Sequence, residues 1–281
     1  MTKGVLVLAQ NNYKVNYIDQ AVVLALSLKL TNPDLPISII TNEKITKKDA
    51  VLFDKIIEIP WDDLSAASDW KIENRWKVYH ATPYNETIVM DTDMLVLEDI
   101  SHWWKFLENY NLFFTSSVLT YRGETVTSDY YRKTFVNNNL SNLYTGVYYF
   151  KKSDLAQEFF AQLEIVVKNW QEFYKIFLKA DCPEFISMDV CTAIVAKILD
   201  CEHQIVNPNI TTPTFVHMKS KIQNWELSSN NWQRNISAYL DADCVLKIGN
   251  HQQHGIFHYT EKDFIDTINA KLKYGKKLNV K

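Results

Sequence analysis

Glu86 to Ile100 reads ETIVMDTDMLVLEDI. Ile88, Val89 and Met90 make a short, unbroken apolar run, the pattern of a strand buried on both faces. The run ends in Asp91-Thr92-Asp93, and apolar residues resume at Met94, Leu95, Val96 and Leu97. Side chains two apart on an extended segment point the same way, so Asp91 and Asp93 share a face. Two carboxylates so close, beside so much apolar surface, repel one another and are costly to desolvate unless a positive charge joins them. A hard divalent cation, Mg²⁺ or Mn²⁺, meets that need, because such ions take carboxylate oxygen together with phosphate oxygen. A solvated turn that happens to hold two Asp accounts for the same spacing.

Working back from this stretch, Gly4 to Ala9 (GVLVLA) reads as a first buried strand that stops at the polar loop Gln10-Asn11-Asn12-Tyr13. Tyr17 to Leu30 has helical spacing, with Ile18, Val22, Leu26 and Leu30 on one side, and Asn32-Pro33-Asp34 ends it. Ile37 to Ile40, followed by Thr41-Asn42, is a second strand, and Lys55 to Ile59 a third. Strand, helix and strand with short links make a βαβ unit and hence a mostly parallel open sheet, an α/β architecture. In such sheets ligands sit beyond the carboxyl ends of the strands. Ala9 to Tyr13, Thr41-Asn42 and Asp91 to Asp93 are therefore expected around one crevice. Ile72 to Ala81 reads as a helix with Trp76, Tyr79 and His80 packing inward. Its Lys77 is expected to be solvated, and its Arg75 is a candidate partner for phosphate or carboxylate.

Forward from it, Leu112 to Ser116 is a strand, and Tyr121 to Asn139 is a polar, aromatic loop. Tyr144 to Phe150 is a strand in which Gly146 leaves room for a ligand to approach. Leu155 to Lys179 reads as one long amphipathic helical region, and Ser187 to Leu199 as another helix with Asp189 in its first turn, where an Asp ordinarily serves the helix dipole. The lysine-rich end from Lys271 to Lys281 is expected to fray.

With 281 residues the chain has ample length for a core. A formal net charge of −3 supplies no global attraction for nucleic acid, although a local basic face needs none. Only six Gly occur, and neither GxGxxG nor a Walker A loop is among the motifs. Cys182, Cys191, Cys201 and Cys244 have neither CxxC pairing nor zinc spacing, so they read as buried reduced thiols and suit a cytoplasmic protein. The opening MTKGVLVLAQNN is too short an apolar run for a signal peptide, and no apolar run reaches the roughly 18 residues of a membrane span.

These pieces in this order resemble the glycosyltransferases of the GT-A fold, nearest the family-8-like enzymes that use nucleotide sugars, from Gly4 to about Phe264. IVMDTDMLVLEDI resembles the family's apolar strand, DxD and following segment. NRWKVYHATPYNE resembles the helix leading into it, with Arg75 at the donor-contacting basic position. LYTGVYYFKKS is similar to the N-(A/S)-G-V strand, with Tyr144 and Thr145 in place of the usual Asn and small residue. SMDVCTAI resembles the DQDxLN helix without its Gln and Asn, and Asp189 matches the Asp that touches the transferred sugar. GIFHYTEK resembles the H(F/Y)xGxxKPW segment without its Gly, Pro and Trp. There His258 matches the third metal ligand and Lys262 the residue that grips the donor phosphates. FVHMKSKIQNW offers a rival in His217, but chain order favours His258, leaving His217 and Lys219 on the acceptor or phosphate side.

The resemblance implies one mixed, mostly parallel α/β domain over residues 1–265, with a nucleotide-sugar half at 1–100, an acceptor-side half at 101–265 and a basic tail at 266–281. It implies Mn²⁺ or Mg²⁺ held by Asp91, Asp93 and His258, with Asp93 and Asp189 acting at the reacting sugar. The donor, a UDP-sugar, is then held by Ala9, Gln10, Asn11, Asn12, Tyr13, Thr41, Asn42, Arg75, Asp91, Thr92, Gly146 and Lys262. The sequence also looks like enzymes encoded by tailed phages, several of which glycosylate hydroxymethylated pyrimidines in DNA, in the host cytoplasm. The acceptor is on this reading either a glycan or such DNA. Lys271 to Lys281 with Lys219 and Lys221 would supply a basic face, and Tyr121, Tyr130 and Tyr131 with Arg122 and Arg132 a stacking surface. A sugar-nucleotide pyrophosphorylase would need Gly in the AQNNYK loop, and a haloacid-dehalogenase-like phosphatase would need Ser or Thr soon after Asp93. Both are lacking. A nucleotide-sugar-binding protein of the same fold with weak turnover is the alternative from another class.

Overall fold

β1 (Lys3–Leu8) forms the middle of a sheet whose alternating side chains feed two cores. The computed structural model describes residues 2–126, 132–207, 213–218, 236–261 and 263–279. Val5 and Val7 join one apolar cluster and Leu6 the other, as the period of two in a doubly covered strand requires. Around β1 run β2 (Ile37–Ile40), β3 (Lys55–Ile57), β4 (Glu86–Met90), β6 (Leu112–Thr115) and β7 (Tyr144–Lys151), in the order β3-β2-β1-β4-β7-β6. The first four are parallel, and β7 is antiparallel to both its neighbours. The sheet is therefore mixed and mostly parallel, as the resemblance implies. β7 enters between β4 and β6, and nothing in its own apolar run specifies that direction.

On one face the helix Tyr17–Thr31 is capped by Asn16, whose side chain accepts the Asp19 N–H, and it is buried almost all round. Its outer side is covered by a second helix, Thr267–Lys277, so Lys271 to Lys277, expected to fray, are helical instead. Asp266 caps that helix, Ala270 and Tyr274 are buried, and Lys271 pairs with Asp19. On the other face lie the helices Asp154–Lys168 and Met188–Ile198. The long helical region expected from Leu155 breaks at Asn169, whose side chain bonds back to the Ile165 carbonyl before Trp170–Phe177 resumes. Gly4 is required by close packing, since a Cβ there would lie 2.4 Å from the Tyr84 ring.

Two further departures lie near the crevice. The expected helix over Ile72 to Ala81 is a 3-10 turn at Arg75–Lys77 followed by one α-helical turn, Val78–Ala81. Lys77 is not solvated. It is 1% exposed, its ammonium donates to the Asp62 carbonyl, and burial lowers its pKa. His80 is exposed and lies against the Trp61 ring rather than in the core. Of the four thiols, Cys191, Cys201 and Cys244 are buried as expected, whereas Cys182 is exposed.

A smaller layer closes the carboxyl end of the main sheet. β5 (Met94–Val96) pairs antiparallel with β12 (Ile256–His258), which pairs parallel with β8 (Val216–His217). The strands β9 (Ala238–Leu240), β10 (Leu246–Ile248) and β11 (His251–Gln252) form a separate antiparallel sheet. No helix of the described residues is long and apolar enough to cross a membrane.

Candidate metal centre and cleft

β4 ends at Met90, and the next peptide is held because the Asp91 N–H donates to the Gly146 carbonyl at 2.9 Å. Two residues on, the Asp93 carbonyl accepts the Tyr259 N–H at 3.0 Å, which ties the turn to the end of β12. Thr92 between them is buried and its hydroxyl donates to the buried Gln20 side chain. The turn is thus fixed from three directions, and its carboxylates converge.

His258 Nε2 lies 3.2 Å from Asp93 Oδ1 and 3.8 Å from Asp91 Oδ2. One ligand atom from each of these three residues falls within 4.8 Å of the others. The Arg75 guanidinium is 2.6 Å from Asp91 Oδ1. Burial works to lower the Arg75 pKa, but Asp91, Tyr148 and Asp93 together outweigh it and the net effect is a raised value. Gly146 faces this cluster: a Cβ there would lie 3.0 Å from Met94 Cε and 3.3 Å from His258 Nδ1. A side chain here would crowd the imidazole and the Met94 methyl, which favours Gly at this point on β7. The donor set of two buried-to-half-buried carboxylates and one imidazole suits a divalent cation of the Mn²⁺ or Mg²⁺ kind. His258 Nδ1 is buried and without a hydrogen-bond partner among the described residues, so Nε2 is the nitrogen the fold presents to the carboxylates.

These residues stand at one side of a cleft of about 430 Å³. Asp189, in the first turn of Met188–Ile198, lines the same cleft. Its Oδ1 accepts both the Thr145 N–H (2.9 Å) and the Thr145 hydroxyl (2.5 Å). Its Oδ2 faces Arg132 Nη2 at 3.0 Å. Arg132 is held flat between the Phe135 and Tyr144 rings, 4.0 and 4.1 Å from their centroids, and also donates to the Leu143 carbonyl. Asp189 is thereby fixed in orientation rather than left to cap its own helix. Sequence reasoning assigned Arg132 to a stacking surface and missed its contact with Asp189, as it missed that of Thr145. Tyr144 and Thr145 had been noted only as departures from a pattern, and their partner lies far along the chain.

His217 also lines the cleft. The register of β8 on β12 sets it beside His258, ring centroids 5.2 Å apart. Lys219 and Lys262 lie outside the described residues, as do Lys221, Tyr130 and Tyr131. Tyr121 is 5% exposed and packs in the core, so it is not available as a stacking surface. Arg132 is committed to Asp189.

Of the opening loop, Gln10 reaches the cleft. Its amide donates to both oxygens of Asp63 and accepts from Asn74, next to Arg75. Ala9 is buried and donates its N–H to Ile40. Asn11 accepts the Ile18 N–H, Asn12 accepts those of Lys14 and Val15, and Tyr13 stands 73% exposed. Thr41 accepts the Glu43 N–H and Asn42 that of Ile59. The loop side chains satisfy their own backbone, as Asn and Thr do in turns.

No family model matches the sequence and no curated protein does. Solved structures match in shape. The galactosyltransferase LgtC, in complex with donor and acceptor sugar analogues, aligns over 97% of this chain and 95% of its own with a TM-score of 0.54 at 12% identity. Mouse xyloside xylosyltransferase 1 aligns over 93% of this chain and 99% of its own at 11% identity, TM-score 0.49. The glycosyltransferase GlyE of Streptococcus pneumoniae TIGR4 covers 74% of this chain with 46% of its own at 13% identity, TM-score 0.42. At such identities the likeness to the first of these establishes architecture: the chain has the GT-A fold, a single mixed α/β domain.

Proposed function

We propose that this chain is a metal-dependent glycosyltransferase that moves a sugar from a nucleotide-diphosphate sugar, a UDP-sugar first among them, to an acceptor hydroxyl. The observation that carries the reading is the convergence of Asp91, Asp93 and His258 within 4.8 Å at the carboxyl end of β4, facing the cleft. Asp91, Asp93 and His258 would hold the ion, Mn²⁺ by preference because one ligand is imidazole. The ion supplies charge neutralisation for a diphosphate leaving group.

The chain's own residues do the positioning. Arg75 fixes Asp91 through the 2.6 Å contact and adds positive charge to the donor side of the cleft. Asp189, oriented by Thr145 and Arg132, lines the cleft, where hydroxyls of the transferred sugar would meet its carboxylate. Asp93, besides holding the ion, would act at the transferred sugar. Gly146 keeps the floor low enough for both to approach. Lys262 is assigned to the donor phosphates, and Gln10, braced by Asp63 and Asn74, to the nucleoside end. His217 and Lys219 are assigned to the acceptor or phosphate side. Placement of this sort lowers a barrier by fixing reactants and by prearranged charge rather than by one strong base.

The test is incubation with a panel of sugar nucleotides and Mn²⁺, with free nucleotide read by chromatography and mass spectrometry and a chelator control. Metal-dependent release of UDP or another nucleoside diphosphate is expected. Neither release nor binding of any member with Mn²⁺ or Mg²⁺ would overturn the proposal.

A further inference from the structure

Trp70 and Phe185 meet where the cleft opens to solvent. Trp70 comes from the loop after β3, and Phe185 from the loop leading into Met188–Ile198. Their ring centroids are 6.2 Å apart and the rings are tilted by 36°. Both line the cleft, yet Trp70 is 63% and Phe185 56% exposed. Rings this large left open, side by side, at a cavity mouth form an apolar surface without a partner. A third ring between them would need about 7 Å, twice the van der Waals contact distance. The pair therefore acts as one composite platform on which a single face of a ligand can lie.

Two kinds of ligand present such a face: a nucleobase and the C–H side of a pyranose. Charge around the platform separates them. Asp69 precedes Trp70 and Glu184 precedes Phe185, and both are exposed. Of the nearby cations among the described residues, the Lys71 ammonium donates to the Ser65 carbonyl and that of Lys14 lies 4.8 Å over the Tyr13 ring. Holding a nucleic acid strand takes an excess of cations free to meet phosphates. A platform bordered by carboxylates, with its cations already engaged, fits a neutral hydroxylated ring instead.

We infer that Trp70 and Phe185 form the acceptor subsite and that the acceptor is a saccharide, lying with one pyranose face on these two rings. The inference rests on the glycosyltransferase reading above. Both side chains are solvent-facing, so their replacement leaves the core intact.

The experiment is a glycan array, with a hydroxymethylcytosine oligonucleotide as an added member, incubated with sugar nucleotide and Mn²⁺. Donor hydrolysis by water is followed in the same samples. Incorporation on saccharides is expected. In Trp70→Ala and Phe185→Ala the ratio of saccharide transfer to donor hydrolysis should fall roughly tenfold, the scale of one lost aromatic contact. Trp70→Phe keeps a flat face and should recover most of it. Donor turnover with incorporation on the oligonucleotide alone, or on no member, would overturn the inference, as would an unchanged ratio in both alanine variants. No turnover of any donor by the unaltered protein would instead sink the glycosyltransferase reading, and this inference with it.

Discussion

Arg132 Nη2 lies 3.0 Å from Asp189 Oδ2, with the guanidinium clamped between two aromatic rings. The carboxylate is thus oriented by a residue that does not touch the cleft itself. Lysine carries the same charge but cannot lie flat between Phe135 and Tyr144 or present two parallel donors. Arg132→Lys should lower kcat for transfer by at least about tenfold through misplacement of Asp189, with the Mn²⁺ requirement unchanged. Steady-state rates across a metal titration check both halves. A raised metal requirement would place Arg132 in a different role.

The two histidines make a second test. His258 aims Nε2 at the carboxylates, whereas His217 lies beside the His258 ring. Loss of one of three protein ligands should weaken Mn²⁺ binding on the order of a hundredfold in His258→Ala, and His217→Ala should bind as the unaltered protein does. Electron paramagnetic resonance of free Mn²⁺ reads this without reference to turnover. The reverse pattern would transfer the ligand role to His217.

Gly146→Ala keeps every ligand and moves one. The added methyl meets His258 Nδ1 at 3.3 Å and Met94 Cε at 3.0 Å, so the imidazole must give way. Overpacking of this kind costs about 1–3 kcal/mol, and the same titration should show weakened Mn²⁺ binding alongside a lower thermal midpoint. Normal metal affinity would mean that the ring has slack the distances do not suggest.

Acid should loosen the opening loop through Asp63. Burial pushes its carboxyl up, but hydrogen bonds from Gln10, Asn74 and the Ser65 N–H, with Lys71 nearby, outweigh this and hold it below its usual value. A carboxyl depressed in the folded state contributes stability that is present above the unfolded value of about 3.9 and is lost as pH falls through the folded one. Urea midpoints from about pH 6 down to about pH 3 should therefore fall less steeply in Asp63→Asn than in the unaltered protein. Equal slopes would remove Asp63 from the acid response.

Thiol labelling separates Cys182 from the rest. It is exposed, whereas burial pushes Cys191 up to about 12 and Cys201 up to about 11, and raises Cys244 as well. Since only the thiolate reacts, a disulfide reagent near pH 8 should consume one thiol quickly and the other three only on unfolding. Fast release of a second would show that one of the buried sites opens.

The two carboxylates were legible because their spacing is local, whereas His258, far along the chain, came only with the resemblance. A two-sided apolar run can end in DxD only where a strand emerges from the sheet, and Arg75 shortly before it is well placed for the same turn. The order and direction of strands beyond β4 carried no such signal. The apolar run from Tyr144 to Phe150 is equally compatible with either orientation, and β7 is fixed by Asp91 and Thr115 meeting its backbone. Lys77 looked solvated because charge at helical spacing usually is, and its acceptor, a backbone carbonyl at Asp62, leaves no mark in a sequence. The C-terminal helix looked frayed for a related reason. Its buried stripe is only Ala270 and Tyr274, too narrow to see until the helix Tyr17–Thr31 is set beside it. The polar loops read as ligand-facing because Asn and Thr serve either backbone or ligand, and spacing does not say which.

His258, the proposed third ligand, arrives on β12, outside the main sheet, and is held by β5 and β8. Fragments ending before Ile256 would carry both carboxylates and the fold's nucleotide half, yet only two of the three ligands. Affinity for the ion is therefore acquired in the same event that seats the late strand against Met94 and Val216. By mass action, an ion that binds only the seated form holds the strand in place. Metal saturation should then shield the segment around β12 from proteases more than it shields β1 to β3, which would make limited digestion a direct gauge of whether the centre is assembled.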